Sequence, residues 1–339
     1  MRHLQGLTRA SLNQATGLES VLSTFSKFTR SATTLSLCLA ACGGGGGGSS
    51  SAVTASVDLT LPSSYNLKWS DEFSSAGTPS NDWTYDLGAP LLGGSVWGNA
   101  ENQYYTNLAK NSFVNNSGQL VIQPVAGIAA GDMMNGDSPN TQDVLGTIQA
   151  RGITATSARL TTNTTSYYNA LNATPYGFYE VRAQIPCIAG AWPAIWMMGK
   201  DGVWPARGEI DIMEWFGGIA SFTSQPNQVQ SGVHSTTNHW GSPAGLLFAK
   251  KDVANMCTEF HKFQLHWTAN EIVMGVDGVT TFSYKKPAGA TADNWPFSQP
   301  AFLLLNVAVG GNLGGTFNVS NIPNMKMTVD YVKVWQPPT

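Results

Sequence analysis

Three carboxylates lie within six residues of an otherwise apolar segment, in the order Glu209-Ile-Asp211-Ile-Met-Glu214. The β-branched and apolar residues between them predict a β-strand, in which successive side chains alternate between two faces. Glu209 and Asp211 would then share a face, whereas Glu214, five positions after Glu209, would point to the other. One extra residue in the strand, a β-bulge near Met213, returns Glu214 to the first face. The pattern therefore predicts three acids along one wall of a groove.

Acids arranged in this way are suited to hydrolysis of a glycosidic bond with retention of configuration. That reaction needs a nucleophilic carboxylate and a carboxylic acid roughly 5–5.5 Å apart. Glu209 is the predicted nucleophile and Glu214 the predicted acid and later base. Asp211 is predicted to hydrogen-bond Glu209 and to hold the local charge so that Glu214 keeps its proton. The alternative is a strand edge with solvated acids. Only 12% of the residues are charged, and three acids gathered together therefore favour a catalytic site.

The carboxylate segment resembles the signature of glycoside hydrolase family 16, in the bulge-containing form found in laminarinases. Five further segments resemble family strands and loops in the same order, and the resemblance covers roughly residues 65–337: 97–106, 176–182, 190–199, 305–311 and 329–335. It implies a β-jelly roll of two curved antiparallel sheets, with the substrate groove on the concave face. It also implies an endo-acting glycosidase for β-1,3-glucan of the laminarin type, with mixed-linkage β-1,3-1,4-glucan as a second substrate.

The strand and turn pattern from about Leu59 onward also predicts an all-β sandwich. Short β-branched and aromatic runs alternate with turn signals such as Asp277-Gly278 and Gly310-Gly311. No long amphipathic helix is predicted. Two segments without clear periodicity, 126–147 and 217–231, are predicted as long loops.

The family resemblance implies further residues in the groove. Trp192 and Trp196, on the strand before the acids, are predicted to stack on sugar rings, with core packing as the alternative. The other predicted sugar-binding residues are Trp97, Asn99, Glu101, Arg182, Trp215, His234 and Asn306.

No cofactor is predicted for catalysis, but the resemblance implies a structural calcium ion away from the groove. Its candidate ligands are the carboxylates of Asp330 and Glu72 and the carbonyl of Gly118, because calcium prefers oxygen ligands. The alternative is that Asp330 accepts hydrogen bonds from backbone donors.

The composition is typical of a polysaccharide-binding protein and gives no reason to expect a nucleic-acid partner. The 339 residues are 42% hydrophobic, enough for one core, and the net charge of −3 comes without a basic cluster that would bind nucleic acid. Eleven Trp and ten Tyr are notable in a chain so poor in charge; core packing must take many of them, and the remainder suit the C–H faces of sugars. We expect a monomer that binds β-glucan polysaccharide or oligosaccharide.

The first 57 residues predict export. A mildly basic segment is followed by the short apolar run 35–41, far below the ~18–20 residues of a membrane span. The run ends in Leu39-Ala-Ala-Cys42, which resembles a bacterial lipobox and predicts a lipid anchor on Cys42. The predicted domains are an export signal (1–42), a Gly/Ser-rich tether (43–57) and a catalytic domain (58–339). The protein would be anchored at the cell envelope or, if Cys42 is incidental, secreted.

The sequence leaves two questions open. Cys187 and Cys257 have the option of pairing in an oxidising compartment, and the sequence does not decide between a disulfide and two thiols. The alternative functions are a non-catalytic, lectin-like β-glucan-binding module and a hydrolase of algal galactans. The three intact acids favour hydrolysis, and the scarcity of Arg and Lys favours glucan over sulfated galactan.

Overall fold

A computed structural model describes residues 58–92, 95–133, 141–218 and 227–338, with 141–145 described for the backbone alone. The predicted export signal (1–42), its Cys42 and the tether (43–57) lie outside the described residues. Within the described ranges, every helix is too short or too polar to cross a membrane.

The described residues form twenty β-strands. In chain order they are β1 (Asn66–Asp71), β2 (Thr84–Tyr85), β3 (Leu91–Leu92), β4 (Ser95–Val96), β5 (Gln103–Tyr105), β6 (Ser112–Val114), β7 (Leu120–Ile122), β8 (Val125–Ala126), β9 (Ala155–Ser157), β10 (Arg159–Thr161), β11 (Gly177–Gln184), β12 (Ala191–Gly199), β13 (Glu209–Glu214), β14 (Gln228–His234), β15 (Leu247–Asp252), β16 (His261–Trp267), β17 (Glu271–Val276), β18 (Val279–Lys285), β19 (Ala301–Val309) and β20 (Met327–Gln336).

Two large antiparallel sheets account for most of these strands. The outer sheet has the order β18-β17-β16-β11-β20-β7-β6, with β1 also paired to β20. The sheet that contains the three acids, called here the carboxylate sheet, has the order β15-β14-β13-β12-β19-β10-β2. Smaller sheets are formed by β3-β4 and by β5-β9-β8. The predicted all-β, jelly-roll sandwich is confirmed.

Alternation of side chains explains why the two large sheets pack together. In the carboxylate sheet, Ile195, Ile210 and Val233 come from three adjacent strands and are almost completely buried in the core. Their neighbours in sequence point to the opposite face of the same sheet. Burial of the apolar face of the carboxylate sheet therefore determines which side chains line its opposite face. The three acids are among the side chains on that opposite face.

The helices are short and lie between strands. They are α1 (Thr141–Ala150), α2 (Thr165–Ala170) and α3 (Gly311–Gly314), with 3₁₀ turns at Ala130–Asp132 and Val319–Asn324. The prediction of a continuous loop over 126–147 is wrong, because this segment contains a 3₁₀ turn and most of α1. The loop predicted over 217–231 ends earlier, since β14 begins at Gln228; residues 219–226 lie outside the described residues.

A disulfide joins Cys187 and Cys257, whose Cα atoms are 5.4 Å apart. Cys187 follows β11, and Cys257 lies between β15 and β16. Both residues pack against the core from the side. The bond answers the question that the sequence left open and closes a loop of 70 residues.

Replacing Cys187 and Cys257 together by alanine is expected to lower the free energy of unfolding by about 2–5 kcal/mol, because the 70-residue loop becomes unconstrained in the unfolded chain. Guanidinium denaturation followed by tryptophan fluorescence measures the change. Wild-type protein treated with a reducing agent is the control and should match the double variant. A midpoint equal to that of the oxidised wild type would contradict the prediction.

Candidate active site

A bulge in β13 brings the three acids to one face. Against β12, Met213 pairs with Ile195 and Asp211 with Trp196, so that Ile212 is an extra residue. Against β14, Asp211 pairs with Gly232 and Glu214 with Gln230, two intervening residues facing one. The predicted bulge is confirmed. Both bulge residues, Ile212 and Met213, are buried in the core, which anchors the irregularity from the far side of the sheet.

Glu209 is held by an indole. The Nε1–H of Trp204, in the connection between β12 and β13, donates a hydrogen bond to Oε2 of Glu209 at 2.6 Å. Trp204 is 47% exposed and also contacts the rings of His234 and His239. Sequence reasoning missed this residue, although its position in a Trp-Pro pair five residues before Glu209 was a usable signal.

Asp211 and His234 form a buried ion pair beside Glu209. Nε2 of His234 lies 3.2 Å from Oδ2 of Asp211, and one side-chain atom from each of Glu209, Asp211 and His234 falls within 4.8 Å of the others. Burial lowers the pKa of His234, but its hydrogen bond to Asp211 and the surrounding carboxylates raise it to about 10. His234, predicted as a groove residue, is therefore a cation at neutral pH and lies next to Asp211 and Glu209.

Asp211 has an elevated pKa because it is buried. Its side chain is almost completely inaccessible, and burial followed by the charge of Glu209 raises its pKa to about 7. The hydrogen bond and charge of His234 act in the opposite direction. The Asp211 carboxyl also hydrogen-bonds Glu209, which agrees with the position that the sequence assigns to it.

Glu214 keeps its proton at neutral pH. The side chain is buried, and Trp192 donates its Nε1–H to Oε1 at 3.1 Å. Burial, followed by the charge of Asp211, raises the pKa of Glu214 to about 8. The charge of His234 and hydrogen bonds from Trp192 and Gln230 lower the pKa by less. The site thus combines a half-buried carboxylate, Glu209, with a deeply buried carboxylic acid on the same face.

A second cluster lies on the β12–β19–β10 side of the acids. The Arg159 guanidinium stacks between Trp97 and Trp196, 4.9 Å and 4.5 Å from their ring centroids. Trp196 donates its Nε1–H to Oδ1 of Asn306 at 2.7 Å, and the Asn306 amide donates to the Tyr105 hydroxyl at 3.2 Å. The structure thus brings Trp97, Trp196 and Asn306 together and adds Arg159 of β10, which also pairs with Asp86 at 3.0 Å and which sequence reasoning missed.

Asn99 and Glu101 complete this cluster. Glu101 is buried and accepts the backbone N–H of Asn99 at 3.1 Å, and burial raises the pKa of Glu101 to about 7. Gly311 approaches both residues at a positive φ of +68°, where an added Cβ would lie 2.7 Å from the Asn99 carbonyl oxygen and 2.9 Å from the Glu101 Cα. Because of this close approach, the loop that contains Asn99 and Glu101 packs against the residues that follow β19.

Two predicted sugar-binding residues lie elsewhere. Trp215 is 4% exposed and belongs to the core, because alternation after Glu214 turns it away from the groove. Arg182 lies on β11 in the outer sheet, where its guanidinium pairs with Asp330 at 2.6 Å and lies over Phe260. The assignment of both residues to the groove is therefore wrong.

The candidate calcium ligands do not form an anionic oxygen cage. Asp330 pairs with Arg182, and Glu72 pairs with Lys333 at 2.9 Å, so both carboxylate charges already face a cation. Gly118 occupies a turn at a φ of +69°, close to the backbone of Phe73. Calcium at these residues stays a prediction that their arrangement does not favour.

Comparison with known proteins identifies relatives over most of the chain. The family model for glycosyl hydrolases family 16 matches residues 135–333. Glucan endo-1,3-beta-glucosidase A1 of Niallia circulans is 32% identical, over 80% of this chain and 38% of its own length. Beta-glucanase of Rhodothermus marinus is 33% identical, over 80% of this chain and 85% of its own length. The crystal structure of SCLam, a non-specific endo-beta-1,3(4)-glucanase, superimposes with a TM-score of 0.68 at 33% identity, over 84% of this chain and 95% of SCLam.

Proposed function

The chain belongs to glycosyl hydrolase family 16, and from this we propose that it is a retaining endo-β-glucanase acting on β-1,3-linked glucan, with mixed β-1,3-1,4-glucan as a second substrate. One observation carries the proposal: Glu209 and Glu214 share a face of β13, and burial raises the pKa of Glu214 to about 8, as an acid catalyst beside a nucleophile requires. The glucanase names of the relatives support the choice of substrate.

In the first step, Glu209 attacks the anomeric carbon of the sugar. The bond from that carbon to the leaving oxygen breaks, and Glu214 gives its proton to this oxygen. The hydrogen bond from Trp204 fixes Oε2 of Glu209 and leaves Oε1 as the attacking atom. Burial keeps Glu214 protonated, so the acid is in the required state before substrate binds.

In the second step, water attacks the same carbon from the side that the leaving group has vacated. Glu214, now a carboxylate, takes a proton from the water, and the ester bond to Glu209 breaks. Two inversions give overall retention. The charge of Glu209 is one of the causes that raise the pKa of Asp211. Esterification removes this charge, so Asp211 is then better able to remain a carboxylate beside the cationic sugar.

The aromatic cluster around Arg159 offers a surface for the glucan. Trp97, Trp196 and Asn99 are half-buried beside Arg159, and the buried Glu101 and Asn306 hydrogen-bond Asn99 and Trp196. Sugar rings combine apolar C–H faces with hydroxyl edges, and this mixture of groups is complementary to both.

A binding-only module with this fold is the second candidate, since one relative, from Penaeus monodon, is a beta-1,3-glucan-binding protein. A module without catalysis has no need for a buried, protonated Glu214 beside a hydrogen-bonded Glu209. The arrangement of the acids therefore favours hydrolysis.

Export to an oxidising compartment is also part of the proposal. The Cys187–Cys257 disulfide supports it, because such bonds persist outside the reducing cytosol. The sequence around Cys42 adds a lipid anchor at the cell envelope. Mass spectrometry of the N-terminal peptide from the mature protein tests the anchor, and an unmodified Cys42 would contradict it.

Glu209→Gln is expected to reduce turnover of β-1,3-glucan by at least about 10³-fold, because the amide cannot form the glycosyl ester. Binding of a β-1,3-linked oligosaccharide, measured by calorimetry, should persist and so exclude misfolding. Glu259→Gln, a change of the same kind at an exposed carboxylate, is the matched control and should retain activity. Turnover by Glu209→Gln within tenfold of wild type would contradict the role of Glu209.

The kcat/KM for β-1,3-glucan is expected to fall as pH rises through about 8, since deprotonated Glu214 cannot protonate the leaving oxygen. Glu214→Gln should lack this alkaline limb when assayed on a nitrophenyl glycoside, whose leaving group needs no proton. Persistence of the limb in the variant would assign it to a different group.

A further inference from the structure

Ser231 of β14 is a polar residue in an otherwise apolar row of side chains that points into the core. The other members of the row, Val229 and Val233, are almost completely buried, and Ser231 is 0% exposed. A buried hydroxyl is unfavourable unless it is hydrogen-bonded, and a small apolar residue would fill the same space without that cost. The contacts of this hydroxyl show why a polar residue stands here.

Ser231 is the single residue of β14 that faces the two bulge residues of β13, Ile212 and Met213. Its Oγ–H donates a hydrogen bond to the carbonyl oxygen of Ile212 at 2.8 Å. Because the Ser231 side chain points into the core, the Ile212 carbonyl tilts toward the core side of the sheet to accept this bond. A bulge disrupts the hydrogen bonds between two strands locally, and the hydroxyl compensates for that disruption.

Thr281 of β18 orients the Ser231 hydroxyl. The two side-chain oxygens lie 3.0 Å apart. A serine hydroxyl has one hydrogen, which Ser231 gives to Ile212, so Thr281 is the donor to Ser231. Thr281 is itself the extra residue of a second bulge, because Met274 and Gly275 of β17 pair with the residues on either side of it. Ser231 therefore connects a bulge of the carboxylate sheet to a bulge of the outer sheet.

The conformation of the bulge in β13 determines where the Glu214 carboxyl lies, because Glu214 follows Ile212 by two residues. Burial is the largest cause that raises the pKa of Glu214. A bulge released from Ser231 would relax, move the carboxyl and admit water to it. The charges that act on this pKa are those of Asp211 on the same strand and His234 on β14, and neither depends on the Ser231 hydroxyl.

We propose that Ser231 is a positioning residue for the acid: its hydroxyl, oriented by Thr281, holds the Ile212 carbonyl and so keeps the bulge in the conformation that places Glu214 beside Glu209. The inference rests on the proposed glucanase function, in which Glu214 protonates the leaving oxygen. It gives Thr281, a residue of the outer sheet, an indirect part in the reaction.

Two substrates separate the position of the acid from general damage to the protein. The leaving oxygen of a β-1,3-linked glucose hexasaccharide needs the proton of Glu214, whereas that of a nitrophenyl glycoside of a β-1,3-linked glucose disaccharide does not. Ser231→Ala is expected to lower kcat/KM on the hexasaccharide about tenfold, since a small misplacement of a catalytic group suffices for such a loss. The loss on the nitrophenyl glycoside should be at least about fivefold smaller.

The alkaline limb of kcat/KM on the hexasaccharide should also move. Water that reaches Glu214 in Ser231→Ala lowers the pKa of its carboxyl, so activity should be lost at a lower pH than in the wild type. Thr281→Val removes the second hydroxyl and keeps the branched shape, and it should shift the limb in the same direction by less. The double variant should match Ser231→Ala, because Thr281 acts only through Ser231.

Ser157→Ala is the matched control. Ser157 is also 0% exposed and donates its Oγ–H to a backbone carbonyl, that of Val307 at 2.7 Å. Val307 lies on β19, which β12 separates from β13. Guanidinium denaturation should show a similar loss of stability in both alanine variants, since each leaves a buried carbonyl without its donor. Ser157→Ala should nevertheless keep the wild-type ratio of kcat/KM for the two substrates and the wild-type alkaline limb.

An equal loss on both substrates, or an unmoved alkaline limb, in Ser231→Ala would overturn the proposal. If Ser231→Ala does not fold, Thr281→Val decides, and a limb at the wild-type pH would refute the role of the hydroxyl pair. Inactivity of the wild-type enzyme on both substrates would contradict the glucanase function instead. Infrared titration of the Glu214 carboxyl, identified by its loss in Glu214→Gln, would then test Ser231: its pKa should be lower in Ser231→Ala, and an unchanged pKa would refute the proposal.

Discussion

One extra residue in β13 is the constraint on which the whole site depends. With regular alternation, Glu214 would point into the core beside Ile210 and Val233, where an unpaired carboxyl is costly. In the pairing with β14, two residues of β13 face one residue of β14, and this bulge returns Glu214 to the face of Glu209. The two residues that take up the irregularity are apolar and buried, so the same core that stabilises the sandwich also stabilises the bulge.

The two glutamates differ in burial and in their neighbours. Glu209 is half-buried and hydrogen-bonded by Trp204, whereas Glu214 is almost inaccessible and lies next to the charge of Asp211. The His234 cation limits the cost of gathering three carboxylates, because it pairs with the most buried of them. Two tryptophans that precede β13 in sequence, Trp192 and Trp204, hydrogen-bond the carboxyl groups without adding charge.

The sequence was most informative where function is encoded locally. The three acids and the bulge were predictable because they lie in one strand, where parity alone determines the face. Arg159 and Gln230 were not singled out, since their proximity to the acids depends on which strands pair, whereas Trp204 was overlooked although it lies only five residues before Glu209. Arg182 was misassigned for the same reason: its strand pairs with β16 and β20 and not with β12. Helix α1 was missed because the composition of 126–147 shows no helical period.

The most direct measurement is the anomeric configuration of the first product. ¹H NMR during the initial turnovers of a β-1,3-linked glucose hexasaccharide distinguishes α- from β-anomeric protons before mutarotation mixes them. Retention through a Glu209 ester predicts that the β-anomer forms first and that the α-anomer grows only at the rate of mutarotation. Initial formation of the α-anomer would show a single inversion and contradict the role of the two glutamates as nucleophile and acid.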